Sequence, residues 1–143
     1  MTDTQSAQIY ELDDADCWAL LERGALGRLA VAVADLVDIY PVNYAVDDRR
    51  LYFRTTEGSK LAAIVIRSQV AFEIDGVDDQ TAWSVVVKGD ARLIDHLDER
   101  TAAERLPIVS WLPTVKRRIV VIDPVEVTGR AFLRGSEPDA EWY

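Results

Sequence analysis

The sequence predicts a mainly β domain, an antiparallel β-barrel with short helices at its periphery. Three observations lead there. Strand-length apolar runs recur along the chain: GRLAVAVAD from Gly27, VDIYPVNYAV from Val37, LYFRT from Leu51 and WSVVVKGDARLI from Trp83. Turn residues separate most of these runs, so strand follows strand and a parallel doubly wound sheet is disfavoured. Helical spacing occurs only in short stretches, giving two or three helices beside about six or seven strands.

Taken in order, residues 1–10 are expected to form a loose arm. Leu12–Gly24 (LDDADCWALLERG) reads as a helix capped by Asp13 or Asp14, with Gly24 as a left-handed stop. Its apolar face carries Ala15, Trp18, Ala19, Leu20 and Leu21. The three runs from Gly27 to Thr55 are expected to form an antiparallel meander, with a turn at Asp47–Arg50. Pro41 cannot donate to a ladder, so its strand lies at an edge, is bulged, or faces something other than a strand. Glu57–Arg67 reads as a helix and Gln69–Asp75 as a strand. Gly76–Thr81 is a polar turn, and Trp83–Ile94 is a long strand with a bulge or bend at Gly89. Asp95 is expected to cap an acidic helix over His96–Leu106, stopped by Pro107. Residues 107–116 carry two prolines and read as a loop. Arg117–Asp123 and Val125–Leu133 are the final strands, divided at Pro124, and residues 135–143 form a polar tail.

A chain of 143 residues, 49% hydrophobic and 29% charged, is expected to form a single domain over residues 1–143 that buries a full core. One cysteine, Cys17, leaves no intrachain disulfide, which fits a reducing, cytoplasmic setting. The N-terminal MTDTQSAQ lacks secretory-signal features, and no apolar run is long enough to span a bilayer. The formal net charge of −9 repels polyanions and argues against nucleic-acid partners. Against that background two local basic clusters stand out: Arg54 with Lys60, and Lys116, Arg117 and Arg118.

The first cluster belongs to FRTTEGSK, at the hand-over from a strand to a helix. A phosphate wants converging donors, and a helix N-terminus offers unpaired N–H groups. Thr55, Thr56 and Ser59 add hydroxyls, and Gly58 allows close backbone approach. Arg54 can grip bidentately while Lys60 acts as a point charge. A capped helix beside solvated cations is the competing reading. Asn43, on a largely apolar strand interrupted by Pro41, needs a polar partner, either a ring edge or a neighbouring loop backbone. Trp83 and Trp111 could stack on a planar cofactor or simply pack. His96 is the one histidine and stands in an acidic helix, so no metal site is expected. No nucleophile elbow, Walker loop or dinucleotide fingerprint is present. Chemistry, if any, has to come from an organic cofactor.

Several segments in order, GRLAVAV, DIYPVNYAVDD, LYFRTTEGSKLAA, VAFEIDGVDDQTAWSVVVKGDARLI and VTGR, resemble the pyridoxamine 5′-phosphate oxidase-like flavin-binding proteins, particularly short actinobacterial members. The resemblance covers about residues 12–133. It implies a split β-barrel of the FMN-binding type and a homodimer. It also implies flavin mononucleotide (FMN), or a deazaflavin, held in clefts between subunits. By the same resemblance the phosphate falls to Arg54, Thr55, Ser59 and Lys60. Tyr40, Pro41, Val42 and Asn43 would run along the ring. Trp83 and Ser84 would reach the cleft from the other subunit, and Trp111 is a candidate stacker. The C-terminal segment VTGRAFLRGSEPDAEWY has no histidine, unlike the true oxidase, which disfavours pyridoxamine phosphate as the substrate. The expected function is a flavin- or deazaflavin-dependent oxidoreductase acting on a small organic molecule, with no catalytic side chain assigned. The alternatives are a non-catalytic flavin- or haem-binding protein of the same fold and a purely dimeric interaction module.

Overall fold

The computed structural model describes residues 9–33, 35–55, 69–108 and 118–133. Its elements run β1 (Ile9–Glu11), α1 (Asp14–Arg23), β2 (Leu26–Val33), β3 (Leu36–Asn43), β4 (Ala45–Asp47), β5 (Arg50–Thr55), β6 (Gln69–Val77), β7 (Thr81–Leu93), α2 (Leu97–Glu104) and β8 (Arg118–Leu133). The strands form one antiparallel sheet in the order β3-β2-β6-β7-β8-β5-β4, with β1 added along β8. The sheet curls into a half-barrel, as the strand-rich sequence led us to expect. Among the described residues no helix is long and apolar enough to cross a membrane.

Alternation along the strands decides the two faces. Leu29, Phe72, Val85, Val87, Phe53 and Ile122 turn inward into one core, which Cys17, Trp18 and Leu21 of α1 plug from one side. On the back of β5 and β8, Tyr52, Ile119 and Val121 pack against Ile94 and against Ala103 of α2. β5 and the part of β8 that pairs with it are therefore covered on both faces. That is why LYF and IVVI are continuous apolar runs where β6 alternates cleanly.

Several expectations change in detail. Ile9 and Tyr10, assigned to the loose arm, open β1 on β8. Asp13 does cap α1, its carboxylate accepting from Asp16 N at 2.8 Å. Gly24, however, is not left-handed; it is extended, at φ −81° and ψ 164°. What excludes a side chain there is space: a Cβ would collide with the Tyr44 hydroxyl. That hydroxyl donates to the Leu21 carbonyl at 2.6 Å, tying the C-terminus of α1 to the chain between β3 and β4.

The expected meander also divides. β2 and β3 form a hairpin, but the ladder stops at Asn43, and Tyr44 turns inward. β4 and β5 then pair across a two-residue turn in which Asp48 (φ 49°) and Arg49 (φ 55°) are both left-handed, as a primed hairpin turn requires. β5 pairs with β8 rather than with β3. Pro41 lies on β3, an edge strand of the sheet order.

The last strand is not divided at Pro124. β8 runs unbroken through it, and the ladder shifts register there: Lys88 faces Glu126 while Gly89 faces Pro124. The extra residue, Val125, makes the bulge. A residue without an N–H is tolerated where the ladder is already interrupted. Gly89 is required opposite, because a Cβ would drive into the Asp123 carbonyl. Asp95 does not cap the second helix: His96 holds the N-cap position without a side-chain bond. The start of α2 is instead anchored from outside, by Arg92 donating to both oxygens of Glu99 at 3.2 and 2.8 Å.

Two stability predictions follow from these contacts. Gly89→Ala should lower stability by roughly 1–3 kcal/mol, because the clash is with backbone rather than with a flexible side chain; an unchanged urea midpoint would show that the bulge yields freely. Burial pushes the Tyr44 phenol up to about 12 from its ordinary 10.0. A group raised on folding loses stability as pH climbs from its unfolded pKa through its folded one. Tyr44→Phe should therefore be less stable than the parent at pH 9, with the gap narrowing as pH rises from about 10 toward 12. Paired urea titrations at the two ends of that range check this, and a constant gap contradicts it.

Candidate functional site

Edge strand β3 carries the first group of candidates. Its cross-strand partners are Leu29 for Tyr40, Arg28 for Pro41 and Gly27 for Val42. Val42 is buried in the core and Tyr40 packs against it, so these two face inward. Pro41 faces outward in a row with Ile39 and Val37, which are 66% and 68% exposed. Asn43 finds a backbone partner of the kind expected, donating through Nδ2 to the Ala25 carbonyl at 3.2 Å.

Trp83 and Ser84 are adjacent on β7 and serve opposite sides of the sheet. Trp83 lies directly across from Gly76, and its ring covers that glycine so closely that a Cβ would clash with it. With Tyr10, Arg23 and Thr81 it lines a cleft of about 300 Å³ beside α1. Ser84 lines a second cleft, of about 470 Å³, with Glu11, Val86, Thr128 and Arg130.

The outward side of this sheet also carries an ion cluster. Arg28, opposite Pro41, donates through Nε to Glu73 at 2.9 Å and through Nη2 to Asp75 at 2.7 Å. Burial raises the Glu73 carboxyl above its ordinary value. Arg28 pulls it down and Asp75 pushes it up, and the net direction is upward.

The end of β5 holds the second group. Arg54 pairs with Ile119 and Thr55 with Arg118. Opposite residues share a face and neighbours alternate. Arg54 therefore lies on the side of Tyr52 and α2, whereas Thr55 and Arg118 lie on the inner side with Phe53 and Val120. Thr55, 4% exposed, is the one buried polar side chain among the described residues. Across from it, Arg118 Nε is shut off from solvent and has no hydrogen-bond partner. Arg118 was visible in the sequence only as part of a basic cluster after a proline-containing loop; its pairing with Thr55 is a product of register. Ser59, Lys60 and Trp111, and the helix expected over Glu57–Arg67, lie outside the described residues.

A buried guanidinium donor without an acceptor, facing a buried hydroxyl, suits an oxyanion. This corner therefore fits a phosphate-bearing group. The remaining candidates stay structural. Among the described residues no cluster of histidine, cysteine and carboxylates could hold a metal. Cys17 is buried, and its thiol is raised first by that burial and then by Asp14, Asp13 and Asp16, which makes it a poor nucleophile.

Comparison with known proteins bears on the fold and the family. The family model described as pyridoxamine 5′-phosphate oxidase matches residues 13–131. An uncharacterised protein of Mycobacterium tuberculosis is 35% identical over 140 residues, covering 92% of this chain and 91% of that protein. A solved structure from Corynebacterium glutamicum, classed with the pyridoxamine 5′-phosphate oxidases, superposes with a TM-score of 0.84 at 41% identity, covering 91% of this chain and 97% of that one. An FAD-binding protein from Mycobacterium smegmatis superposes with a TM-score of 0.80 at 37% identity, covering 88% of this chain and all of its own (100%). The order of strands, the half-barrel they form and the match over nearly the whole chain place this protein in the pyridoxamine 5′-phosphate oxidase family.

Proposed function

We propose that the protein binds a phosphate-bearing flavin, FMN in the first instance and a deazaflavin as the alternative, and uses it as an oxidoreductase on a small organic substrate. The observation that carries this reading is the corner at the end of β5. There a family that includes flavin binders meets a buried Thr55 and an unpartnered guanidinium nitrogen. When bound, the flavin supplies hydride transfer, a chemistry this chain's own side chains do not offer. Thr55, Ser59 and Lys60 would hold the phosphate, and Arg54, which turns to the opposite face of β5 from Thr55, would add its charge from the other side of the strand. Tyr40–Asn43 would lie along the ring, and Trp83, Ser84 and Trp111 are candidates for closing the cleft and excluding water.

A homodimer belongs to the same proposal. The outward row of Val37, Ile39 and Pro41 is apolar on an otherwise acidic chain, and such a surface is suited to burial against a second subunit. A cytoplasmic location fits the single, buried cysteine. A carrier that binds the same cofactor without turnover is the second reading. It is supported by the absence, among the described residues, of a buried side chain with a carboxylate or imidazole to act as acid or base.

The test is titration of the purified protein with FMN, FAD and a deazaflavin, read by quenching of cofactor fluorescence and by sedimentation. Saturable binding at one cofactor per protomer of a dimer is expected, and Arg54→Ala combined with Lys60→Ala should weaken it. No binding of any of the three would overturn the proposal. Reduction of the bound cofactor by NAD(P)H, or by substrate, separates the enzyme from the carrier.

A further inference from the structure

We infer that the cleft between α1 and the inner side of β1, β8 and β7 is a second ligand site. It suits a small planar aromatic molecule with an anionic group at one end and a cationic group at the other. The site is formed within one protomer and does not rest on the flavin reading. Trp83 and Ser84 serve opposite sides of β7, so at most one of them faces a given cleft of the protomer, and Trp83 faces this one.

The first observation is a cross-strand row. Tyr10 lies opposite Ala131, Ala131 opposite Trp83, and Trp83 opposite Gly76. Partners across a ladder share a face, so the row runs aromatic, methyl, aromatic, nothing. The two aromatic residues are two strand spacings apart, roughly 10 Å. Only the Ala131 methyl lies between them, which leaves a notch with an aromatic residue on each side. Tyr10 is 49% exposed, so its ring is available to a guest. Aromatic walls favour a flat partner with a π-face of its own.

The second is preorganisation. A Cβ at Gly76 would collide with Cζ2, Cε2 and Nε1 of Trp83. The missing side chain therefore lets the indole rest on the backbone of β6. A wall seated in this way is in place before a ligand arrives, and little ordering is left to do on binding.

The third is the helix across the cleft. Asp16, Ala19, Leu20 and Arg23 line it from α1, the spacing of a single helix face. The middle of that stripe is apolar and its two ends carry opposite charges. Seven residues of helix separate those ends by about 10 Å, a span that two flexible side chains and one substituted ring can bridge. Neither Asp16 nor Arg23 enters an ion pair among the described residues. The cleft holds about 300 Å³, at the small end of ligand sites, which matches a one-ring molecule.

The experiment uses the full isotope-labelled chain at neutral pH. It follows the Trp83 indole N–H signal by NMR, identified by its loss in Trp83→Phe. The probes are para-aminomethylbenzoate, which carries both charges, benzoate, which carries the anion, and benzylamine, which carries the cation. The doubly charged probe should shift the Trp83 signal saturably and bind more tightly than either of the others. Arg23→Gln should weaken it and benzoate roughly 2- to 5-fold and leave benzylamine unchanged. Asp16→Asn should weaken it and benzylamine and spare benzoate. Both positions are exposed on α1, so the fold tolerates these changes. No saturable shift overturns the site, as does equal binding of all three probes that neither variant alters. FMN that displaces the probe would place the flavin in this cleft and overturn a separate site. FMN binding without displacement supports both readings. Binding of the probe by a protein that takes up no flavin leaves this site standing while the flavin reading falls.

Discussion

Between Thr81 and Leu93, β7 is hydrogen-bonded along its length to β8, and the two meet every other part of the sheet from opposite sides. β6, β2 and β3 extend from β7; β5 and β4 extend from β8, and β1 lies along it. The ladder's single irregularity, where Gly89 faces Pro124 and Val125 is left over, divides β8 into two working halves. A bulge increases local twist and bends its strand. Beyond it in one direction β8 pairs with β5 and becomes covered on both faces; in the other it receives β1 and the N-terminal side of α1. The constraint is steric as much as hydrogen-bonded, since Gly89 leaves no room for a Cβ against the Asp123 carbonyl.

That same region gathers the charges which fasten α2. Asp123, next to the bulge, accepts from Arg50 and Arg92, and Arg92 reaches on to Glu99. Each pair is partly exposed and contributes little singly. Their value lies in geometry: three segments remote in sequence share one set of planar guanidinium contacts. The Arg92 charge is stabilised chiefly by its bond to Glu99. These contacts fix β5, β7, β8 and α2 to one another.

The outward face is built differently. Val37, Ile39 and Pro41 on the edge strand, with the Arg28–Glu73–Asp75 cluster beside them, make a surface partly apolar and partly ionic. An edge strand with this composition is a liability unless something covers it. A second subunit is the cover we propose for this exposed row.

Much of the architecture was legible in the sequence. Strand periodicity, Asp13 as a cap, the Asp47–Arg50 turn and the bulge at Gly89 all follow from local chemistry: alternation, side-chain oxygens near free N–H groups, and the missing Cβ of glycine. The half-barrel and the family could be read from the order of such segments. What local chemistry could not reveal was pairing. Gly24 looked like a left-handed stop, but its size is dictated by Tyr44, twenty residues away. Pro124 looked like a break because proline lacks a donor, yet the bulge opposite Gly89 makes that donor unnecessary. Asp95 looked like a cap, but the start of α2 is held by Arg92 from another strand. The candidate site shows the same division. The hydroxyls and cations of FRTTEGSK left two readings open in the sequence, an anion grip and a capped helix. Which side of the sheet each residue faces, and that Arg118 meets Thr55, depends on the register of two strands more than sixty residues apart. Register is set by the burial of whole faces, a property no short stretch of sequence possesses.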